Sequence, residues 1–439
     1  MIPALVLAAL MVLSLAPAVL WSPHDQFGGG TADVVVAIAR MMGRCGVVLL
    51  MWQFVLGFRR VVRTVTPDLL ASNRVHRWLG IGGIVLVVAH PLLLLFASSE
   101  SAMAFFAPHL RDNADVVVTL GKVALALLAL TWIGSAVFRQ RLGFRQWRRL
   151  HVVNYVVLPM VLGHSFNGSS FADPSLRRYW IVLTIGATGL VIARALDAAG
   201  VGQPQYRVAS IEDVARGTRR LALMPIARGL RPAPGQFVYV QMRRFGEAHP
   251  FTSSHFDEAS GELSITAKGL GPFSKRLHTL RSGDSLWVSG PFGVFTREAA
   301  TTLRPIVLIA GGIGITPFVR LLRERRDHLD LTPLTLIYAN RTPRDAAYRD
   351  EVDEIAAVNR YVKVVHVFNE EPADLPVRSG VSIASGVVSE QLIRTYLRHA
   401  AEVGEFFLCG PPPMMDAVIG VLRRLGVPAA QIHSERFSF

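Results

Sequence analysis

Two pairs of histidines stand in otherwise apolar stretches of the first two fifths of the chain. His76 and His90 are fourteen residues apart, and His151 and His164 are thirteen apart. At about 1.5 Å rise per residue, each spacing separates its two imidazoles by roughly 20 Å along a helix. That distance is far too long for one zinc or copper ion, but it suits two stacked haems. Each iron would take one axial histidine from each of two facing helices.

The helical register of the two pairs differs. At about 100° per residue, fourteen steps return to nearly the same helix face, whereas thirteen do not. Pro159 lies between His151 and His164 and could restore the register through a kink or bulge. A single histidine in a membrane helix can instead bridge neighbouring helices or line a cavity. Four of them, paired at both membrane depths, favour the haem interpretation, because ionisable groups in a bilayer are costly.

Composition points to a membrane half followed by a soluble half. The 439 residues are 51% hydrophobic, with a mean hydropathy of +0.37, and the apolarity is concentrated before about residue 200. The formal net charge is +14, but much of the excess sits in short loops beside apolar segments, as positive-inside topology requires. No basic stripe interleaved with aromatics occurs, which argues against nucleic-acid binding. Cys45 and Cys409 are the only cysteines, so a disulfide framework is implausible.

The apolar segments predict a six-helix transmembrane domain over residues 1–200. The first segment lacks the positive n-region of a signal peptide, so it is interpreted as a helix that stays in the membrane. Arginine-rich loops at 59–77 and 139–149 are predicted to be cytoplasmic. The predicted spans are 2–21, 33–58, a third from His76 past His90, 116–138, a fifth from His151 past His164, and 179–197.

This topology assigns the ligand pairs. His76 and His151 lie toward the cytoplasmic face, and His90 and His164 lie toward the outer one. Two axial histidines fill both open positions of a haem iron, which favours electron transfer over direct oxygen binding. An acceptor would then be reduced at the edge of the outer haem. Arg40 is predicted to contact a haem propionate or the acceptor, with snorkelling or an inter-helix hydrogen bond as the alternative.

The composition changes after residue 204. Short alternating strands separated by Gly and Pro turns predict an antiparallel β-barrel over 205–300. The barrel contains the stretch HPFTSS, which begins at His249, and then Lys268 and Ser274. Hydroxyl groups beside a lysine suit a flavin and its pyrophosphate.

Residues 303–439 are predicted to form an α/β domain. The strand PIVLIAG leads into the glycine turn GGIGITP at 311–317, and a helix follows. Such a turn lets backbone amides and a helix N-terminus approach a diphosphate. Arg341 and Arg344 follow a second strand, and CGPPPMM follows a later one. Repeated strand–turn–helix units predict a doubly wound sheet that binds a dinucleotide.

The order HPFTSS, GPFG, GGIGITP and CGPPPMM, ending in an aromatic residue, resembles the ferredoxin–NADP reductase type of module. Placed behind a six-span domain with two histidine pairs, it resembles the NADPH oxidase and ferric reductase superfamily. The resemblance extends over roughly residues 30–439. It implies two b-type haems, FAD and NADPH or NADH as cofactors.

The resemblance also implies roles for particular residues. Cys409 would lie close to the site of hydride transfer, and Phe439, or alternatively Phe437, would stack on the flavin ring. Arg341 and Arg344 could bind a 2′-phosphate and favour NADPH, although arginine also occurs here in relatives that use NADH. The implied flavin contacts are His249, Pro250, Phe251, Thr252, Ser253, Lys268 and Ser274; the implied nucleotide contacts are Gly311, Gly312, Gly314, Thr316, Pro317, Arg341, Arg344, Gly410 and Pro411.

The implied activity is electron transfer from cytosolic NAD(P)H through FAD and the two haems to an acceptor outside the cell membrane. Dioxygen, giving superoxide, and ferric chelates are the leading acceptors. Animal oxidases carry a further histidine one turn after the outer ligand of the third span, whereas this chain has Leu94 there. The rival hypothesis is a haem membrane protein that acts as a redox sensor or as an electron-transfer subunit for a partner or quinone. A homo-oligomer remains open.

Overall fold

The computed structural model describes residues 2–20, 30–66, 68–139, 141–166, 173–296, 299, 302–327, 331–370, 378–397 and 404–436. The chain forms two compact units, Met1–Asp197 and Ala198–Phe439. Each unit has its own buried apolar clusters. The two units are therefore described in turn.

The described part of the first unit is helical. Helix α2 packs along α4, and α6 packs along α8. The helices are α1 (Ile2–Leu20), α2 (Thr31–Leu56), α3 (Arg59–Val65), α4 (Leu69–Ala97), α5 (Ala102–Phe106), α6 (Asn113–Ala136), α7 (Phe144–Val152), α8 (Asn154–Ser165) and α9 (Pro174–Ala198).

Among the described residues, four helices are long and apolar enough to cross a membrane, namely α2, α4, α6 and α9. The predicted count of six is not confirmed. Helix α1 is described as an apolar helix over Ala8–Val19, where its side chains are placed. The predicted fifth span is divided at Val153 into α7 and α8.

The division at Val153 has a local cause. The side-chain amide of Asn154 donates to the carbonyl of His151 at 3.0 Å and accepts from the hydroxyl of Thr131 at 2.9 Å. An asparagine that bonds the nearby backbone competes with the helical hydrogen-bond ladder. Pro159, which lies inside α8, also lacks a backbone donor. The irregularity expected between the two histidines is therefore a turn two residues after His151.

The second unit begins with a closed antiparallel barrel, with the strand order β1-β2-β5-β4-β3-β6. Its interior is apolar, with Leu221, Val238 and Ile265 fully buried. A short helix, α10 (Pro272–Leu277), follows β5. The strands are β1 (Gln205–Ala215), β2 (Thr218–Pro225), β3 (Phe237–Gln241), β4 (Ala248–Phe256), β5 (Leu263–Lys268) and β6 (Ser285–Phe292). The predicted barrel is confirmed.

A six-stranded parallel sheet with the order β10-β9-β8-β7-β11-β12 completes the unit. Its strands are β7 (Ile306–Gly311), β8 (Leu334–Asn340), β9 (Val362–Phe368), β10 (Val381–Ser385), β11 (Glu405–Cys409) and β12 (Ile432–Glu435). The helices are α11 (Thr316–Asp327), α12 (Arg349–Val358), α13 (Glu390–Tyr396) and α14 (Pro412–Arg424). The strand order reverses between β7 and β11, which makes their carboxyl ends the topological switch point. The predicted Rossmann-like domain is confirmed.

Candidate functional site

The four histidines form two facing pairs. The ring centres of His76 and His151 are 6.2 Å apart, and those of His90 and His164 are 6.4 Å apart. An iron between two imidazole nitrogens, at about 2 Å from each and with about 1 Å more to each ring centre, requires ring centres about 6 Å apart. Both pairs therefore fit bis-histidine haem ligation.

A second feature of the rings supports this fit. Nδ1 of His90 lies 2.8 Å from the carbonyl of Ala39 on α2, and Nδ1 of His164 lies 3.0 Å from the carbonyl of Val117 on α6. A ring that donates its Nδ1 proton keeps Nε2 available as a metal ligand. The supporting helices thus fix the tautomer of both outer histidines.

Glycines make room for the outer pair. A Cβ atom on Gly43 would lie 2.9 Å from Nδ1 of His90, and one on Gly121 would lie 2.6 Å from Nδ1 of His164. Both distances are shorter than real Cβ contacts, so any side chain at either position would displace the ring. Gly43 and Gly121 each follow the carbonyl that accepts from the histidine by four residues. Each supporting helix therefore offers an acceptor and, one turn later, a space.

Arg44 on α2 and Lys122 on α6 lie in surroundings that differ from those of Arg40. Nε of Arg44, which is buried, donates to the carbonyl of Ala18 at 3.2 Å, and Nζ of Lys122 donates to the carbonyl of Ala107 at 2.7 Å. Both are the inter-helix or loop contacts expected of a structural cation. Arg40 is half-buried and directly follows Ala39, the acceptor of His90. The predicted contact of Arg40 with a haem propionate or the acceptor stays a prediction.

The HPFTSS stretch lies on β4 of the barrel. The ring of His249 stacks on Phe273 at 4.0 Å, and Phe251 faces the same ring at 6.0 Å. Pro250 lies between them on the strand and pairs with Tyr239 of β3. The hydroxyl of Thr252 is buried without a hydrogen-bond partner. An orphaned buried hydroxyl calls for a ligand or water, and it fits the flavin contact implied for Thr252.

The remaining flavin candidates lie on neighbouring elements. Ser253 is buried, and its hydroxyl donates to the carbonyl of His255 at 3.2 Å. Lys268 ends β5, and Ser274 lies in α10, which follows. At the start of that helix, the backbone N–H of Gly271 donates to the hydroxyl of Ser274 at 3.0 Å, and this hydroxyl donates to the carbonyl of Gly271 at 3.1 Å. The fold thus brings the scattered motif residues to β4, β5 and α10.

The two glycine-containing turns meet at the switch point. A Cβ on Gly314 would lie 2.2 Å from the carbonyl oxygen of Cys409, and one on Gly410 would lie 3.0 Å from the nitrogen of Gly311. A Cβ on Gly311 would collide with Pro411 and Met414 at 2.7 Å. Three of the glycines are therefore required because the turns after β7 and β11 touch. Gly312 differs, since it has φ of +54° and nothing within 4 Å of a Cβ.

Thr316 and Pro317 begin helix α11 and are buried. The hydroxyl of Thr316 donates to the carbonyl of Ile313 at 3.1 Å, which closes the turn onto the helix. The helix N-terminus consequently lies at the carboxyl edge of the sheet, where a diphosphate would be stabilised by the helix dipole. The predicted glycine turn therefore packs against the turn after β11, and it places the N-terminus of α11 where a diphosphate could bind.

Cys409 ends β11 and is fully buried. Burial and then the carboxylate of Glu435, its partner residue on β12, raise the pKa of the Cys409 thiol well above its usual range. The thiol therefore stays protonated at neutral pH. Glu435 was not singled out from the sequence, because one acidic residue near the end of a chain carries no distinctive pattern.

The protonated state of Cys409 gives a chemical prediction. A free cysteine has a pKa of about 8.5, and only the thiolate reacts with alkylating agents. Because the folded pKa is higher, we expect Cys409 to resist iodoacetamide at pH 8 in the native protein and to react rapidly after unfolding in guanidinium chloride. Peptide mass spectrometry measures both rates. Equal rates in the two states would show that the thiol is accessible and ionised.

The two arginines that are predicted to bind the nucleotide, Arg341 and Arg344, follow the carboxyl end of β8. Nε of Arg341 pairs with Oε1 of Glu370 at 2.7 Å, with both side chains exposed. Arg344 lines a cleft together with Arg220 and Tyr348. The two arginines therefore do not share one environment, although the sequence grouped them.

Asn340, the last residue of β8, was missed by the sequence reasoning. Its side chain is buried beside the hydroxyl of Tyr338, yet neither amide atom makes a hydrogen bond of good geometry. An unsatisfied buried amide at the carboxyl edge of the sheet fits a dinucleotide. The signal available in the sequence was its position directly after a buried strand. Phe437 and Phe439 lie outside the described residues.

Fold and site together define a membrane oxidoreductase with a flavin- and nucleotide-binding reductase module. Residues 42–162 match the family described as ferric reductase like transmembrane component, and residues 308–419 match the oxidoreductase NAD-binding domain. The chain belongs to the ferric reductase and NADPH oxidase type of protein, in which this transmembrane component precedes that module.

Curated relatives resemble part of the chain. The reductase component of propane 2-monooxygenase from Mycolicibacterium smegmatis is 30% identical over 53% of this chain and 67% of its own length. NADH-cytochrome b5 reductase 1 from Neosartorya fischeri is 32% identical over 43% of this chain and 63% of its own length. The chain thus spans about two thirds of the length of these relatives.

A solved structure shows a similar coverage. The flavohem-like FAD/NAD binding domain of nitric oxide dioxygenase from Vibrio cholerae O1 biovar El Tor is 25% identical, with a TM-score of 0.46. The likeness covers 54% of this chain and 98% of that domain.

Proposed function

We propose that this chain passes electrons from cytosolic NADPH or NADH, through FAD and two stacked b-type haems, to an acceptor outside the cell membrane. The observation that carries the proposal is the two facing histidine pairs, with ring centres 6.2 and 6.4 Å apart. The match to a ferric reductase like transmembrane component supports a ferric chelate as acceptor. Dioxygen, giving superoxide, is the alternative acceptor.

Each of the three parts of the chain would bind and orient one kind of cofactor. Residues 205–300 would hold FAD through β4, β5 and α10, and residues 303–439 would hold the nucleotide at the switch point. Residues 1–200 would hold the haems, which accept single electrons that a flavin can release after a two-electron hydride transfer. The arginine-rich loops support a multi-pass protein of the inner membrane with its reductase module in the cytoplasm.

The first experiment is a redox difference spectrum of the full-length protein in lipid nanodiscs. We expect two haems per chain and reduction of both by anaerobic NADPH or NADH without any added protein. A chain that binds flavin but leaves its haems oxidised would support the rival function, a haem sensor or a subunit served by another reductase. Superoxide release and ferric-chelate reduction, measured on the same nanodiscs, then identify the acceptor.

Coenzyme preference is expected to depend on Arg341. If its guanidinium binds the 2′-phosphate, Arg341→Ala raises the KM for NADPH by about tenfold or more, the effect of one charge-assisted hydrogen bond, and leaves the KM for NADH unchanged. Glu370→Gln, which removes the charge that engages Arg341, is expected to lower the KM for NADPH. Steady-state kinetics with both coenzymes measure this. Equal changes for the two coenzymes would assign Arg341 to a merely structural ion pair.

A further inference from the structure

The ring of His151 is held differently from the rings of the outer histidines. Its Nδ1 faces a side chain, the hydroxyl of Ser135 on α6, at 3.4 Å. The same hydroxyl donates its proton to the carbonyl of Thr131 at 2.8 Å and accepts the indole N–H of Trp147 at 3.1 Å. Two N–H donors, Trp147 and His151, therefore share the lone pairs of one hydroxyl oxygen, and the nearer indole makes the shorter hydrogen bond.

The outer pair provides the comparison. His90 and His164 reach backbone carbonyls at 2.8 and 3.0 Å, which are ordinary lengths for an N–H···O hydrogen bond. His76, the other inner ligand, has no hydrogen bond of good geometry at Nδ1. Its ring lies near the carbonyl of Gln53. Both inner histidines consequently make weaker hydrogen bonds at Nδ1 than both outer ones.

The strength of this hydrogen bond affects the metal. A strong acceptor at Nδ1 increases the electron donation of the imidazole to iron and stabilises the ferric state. A weak acceptor leaves the ferrous state relatively favoured. We propose that Trp147 and Ser135 are positioning residues that raise the midpoint potential of the inner haem by limiting the hydrogen bond from His151. This inference rests on the proposed function, because it presumes the haem.

Trp147 has a second contact that must be separated from the first. Its indole stacks on His151 with ring centres 5.0 Å apart and planes 23° apart, and the guanidinium of Arg139 lies 4.6 Å above the indole. Trp147→Phe preserves an aromatic ring for stacking, although a smaller one, and removes the N–H. The hydroxyl of Ser135 then becomes available to His151.

The two substitutions therefore predict shifts of opposite sign. Trp147→Phe strengthens the hydrogen bond from His151 and lowers the midpoint potential of the inner haem. Ser135→Ala removes the oxygen that faces Nδ1 and raises the same potential. Ser135→Thr retains the hydroxyl and is expected to restore the original value. A purely structural role, through loosened packing, would move both variants in the same direction.

The chain offers a matched control. Ser14 donates its hydroxyl proton to the carbonyl of Met11 at 2.8 Å and accepts the indole N–H of Trp52 at 2.8 Å. This is the arrangement around Ser135 without a histidine. Ser14→Ala is expected to leave both potentials unchanged.

The experiment is a spectroelectrochemical titration of the full-length, haem-loaded protein in nanodiscs, fitted to two midpoint potentials. Gly121→Ala crowds His164 and is expected to shift or remove the midpoint potential of the outer haem. The potential that stays unchanged in this variant is then assigned to the inner haem. We expect only the inner component to move in the Trp147 and Ser135 variants. Shifts of equal sign, movement of the outer component, or no movement would each overturn the inference.

Failure of the inference and failure of the proposed function are distinguishable. If two haems are bound and reduced by NAD(P)H while the Trp147 and Ser135 variants keep the original potentials, only the inference fails. If the purified chain binds no haem, the proposed function fails as well. Should Ser135→Ala lose haem, Trp147→Phe still tests the sign of the shift, and Ser135→Thr still tests whether the hydroxyl maintains the original potential.

Discussion

His90→Ala is expected to abolish reduction of an external acceptor while the reductase module keeps its activity toward soluble dyes. The substitution removes one proposed axial ligand of the outer haem, together with the hydrogen bond to the carbonyl of Ala39. The residues that would bind FAD and the nucleotide lie in a separate compact unit with its own core. We therefore expect the haem content to fall from two to one per chain, with external reduction falling to background.

Three measurements on the same preparation check this result: haem content by pyridine haemochrome, external ferric-chelate or dioxygen reduction, and NAD(P)H-driven dye reduction. His109→Ala is the matched control, because His109 is half-buried and contacts only the nearby chain among its described hydrogen bonds. Unchanged external reduction in the His90 variant would remove that residue from its proposed role.

Gly314→Ala is expected to eliminate reduction by NADPH and NADH while chemical reduction of the haems by dithionite persists. The added methyl group would lie 2.2 Å from the carbonyl oxygen of Cys409 and 2.6 Å from its carbonyl carbon. Backbone atoms cannot rotate aside as a side chain can, so the turn after β11 must shift. Overpacking of this kind costs about 1–3 kcal/mol, and the shift displaces Cys409 and the nucleotide-binding edge.

The control for this variant is Gly420→Ala in helix α14. A Cβ there meets only the far end of Arg424 at 3.6 Å, and alanine is the better helix former by about 1 kcal/mol. We expect Gly420→Ala to keep full activity and equal or higher stability. Rates with both coenzymes and the melting temperature separate the two variants. Normal turnover in the Gly314 variant would mean that the two turns do not need their close approach.

Both predictions depend on contacts between residues far apart in the chain. The spacing of the histidines suggested two haems, but only the packing of α4 on α2 and of α8 on α6 shows the rings at haem-sized separations. The thirteen-residue spacing could not be resolved from the sequence, because a turn at Val153 and a hydrogen-bonded Asn154 decide the register. The predicted count of six spans is not confirmed, and the turn at Val153 lies within the predicted fifth span.

The reductase module shows a similar division. Alternating strands and glycine turns were sufficient to predict the barrel and the α/β domain, since side-chain periodicity and backbone flexibility are local properties. Whether Gly314 serves a phosphate or makes room for Cys409 is not local, and the structure assigns it to the contact. The pairing of Arg341 with Glu370 and the buried amide of Asn340 likewise became visible only in three dimensions.

The sequence by itself determined the class of element at each position, the membrane half, and the kinds of side chain available for chemistry. The tertiary structure alone decided which of those side chains face each other, because contacts between distant segments depend on packing and register. The competition of Trp147 and His151 for the hydroxyl of Ser135 is such a contact. It joins two helices, and no pattern within either helix predicts it.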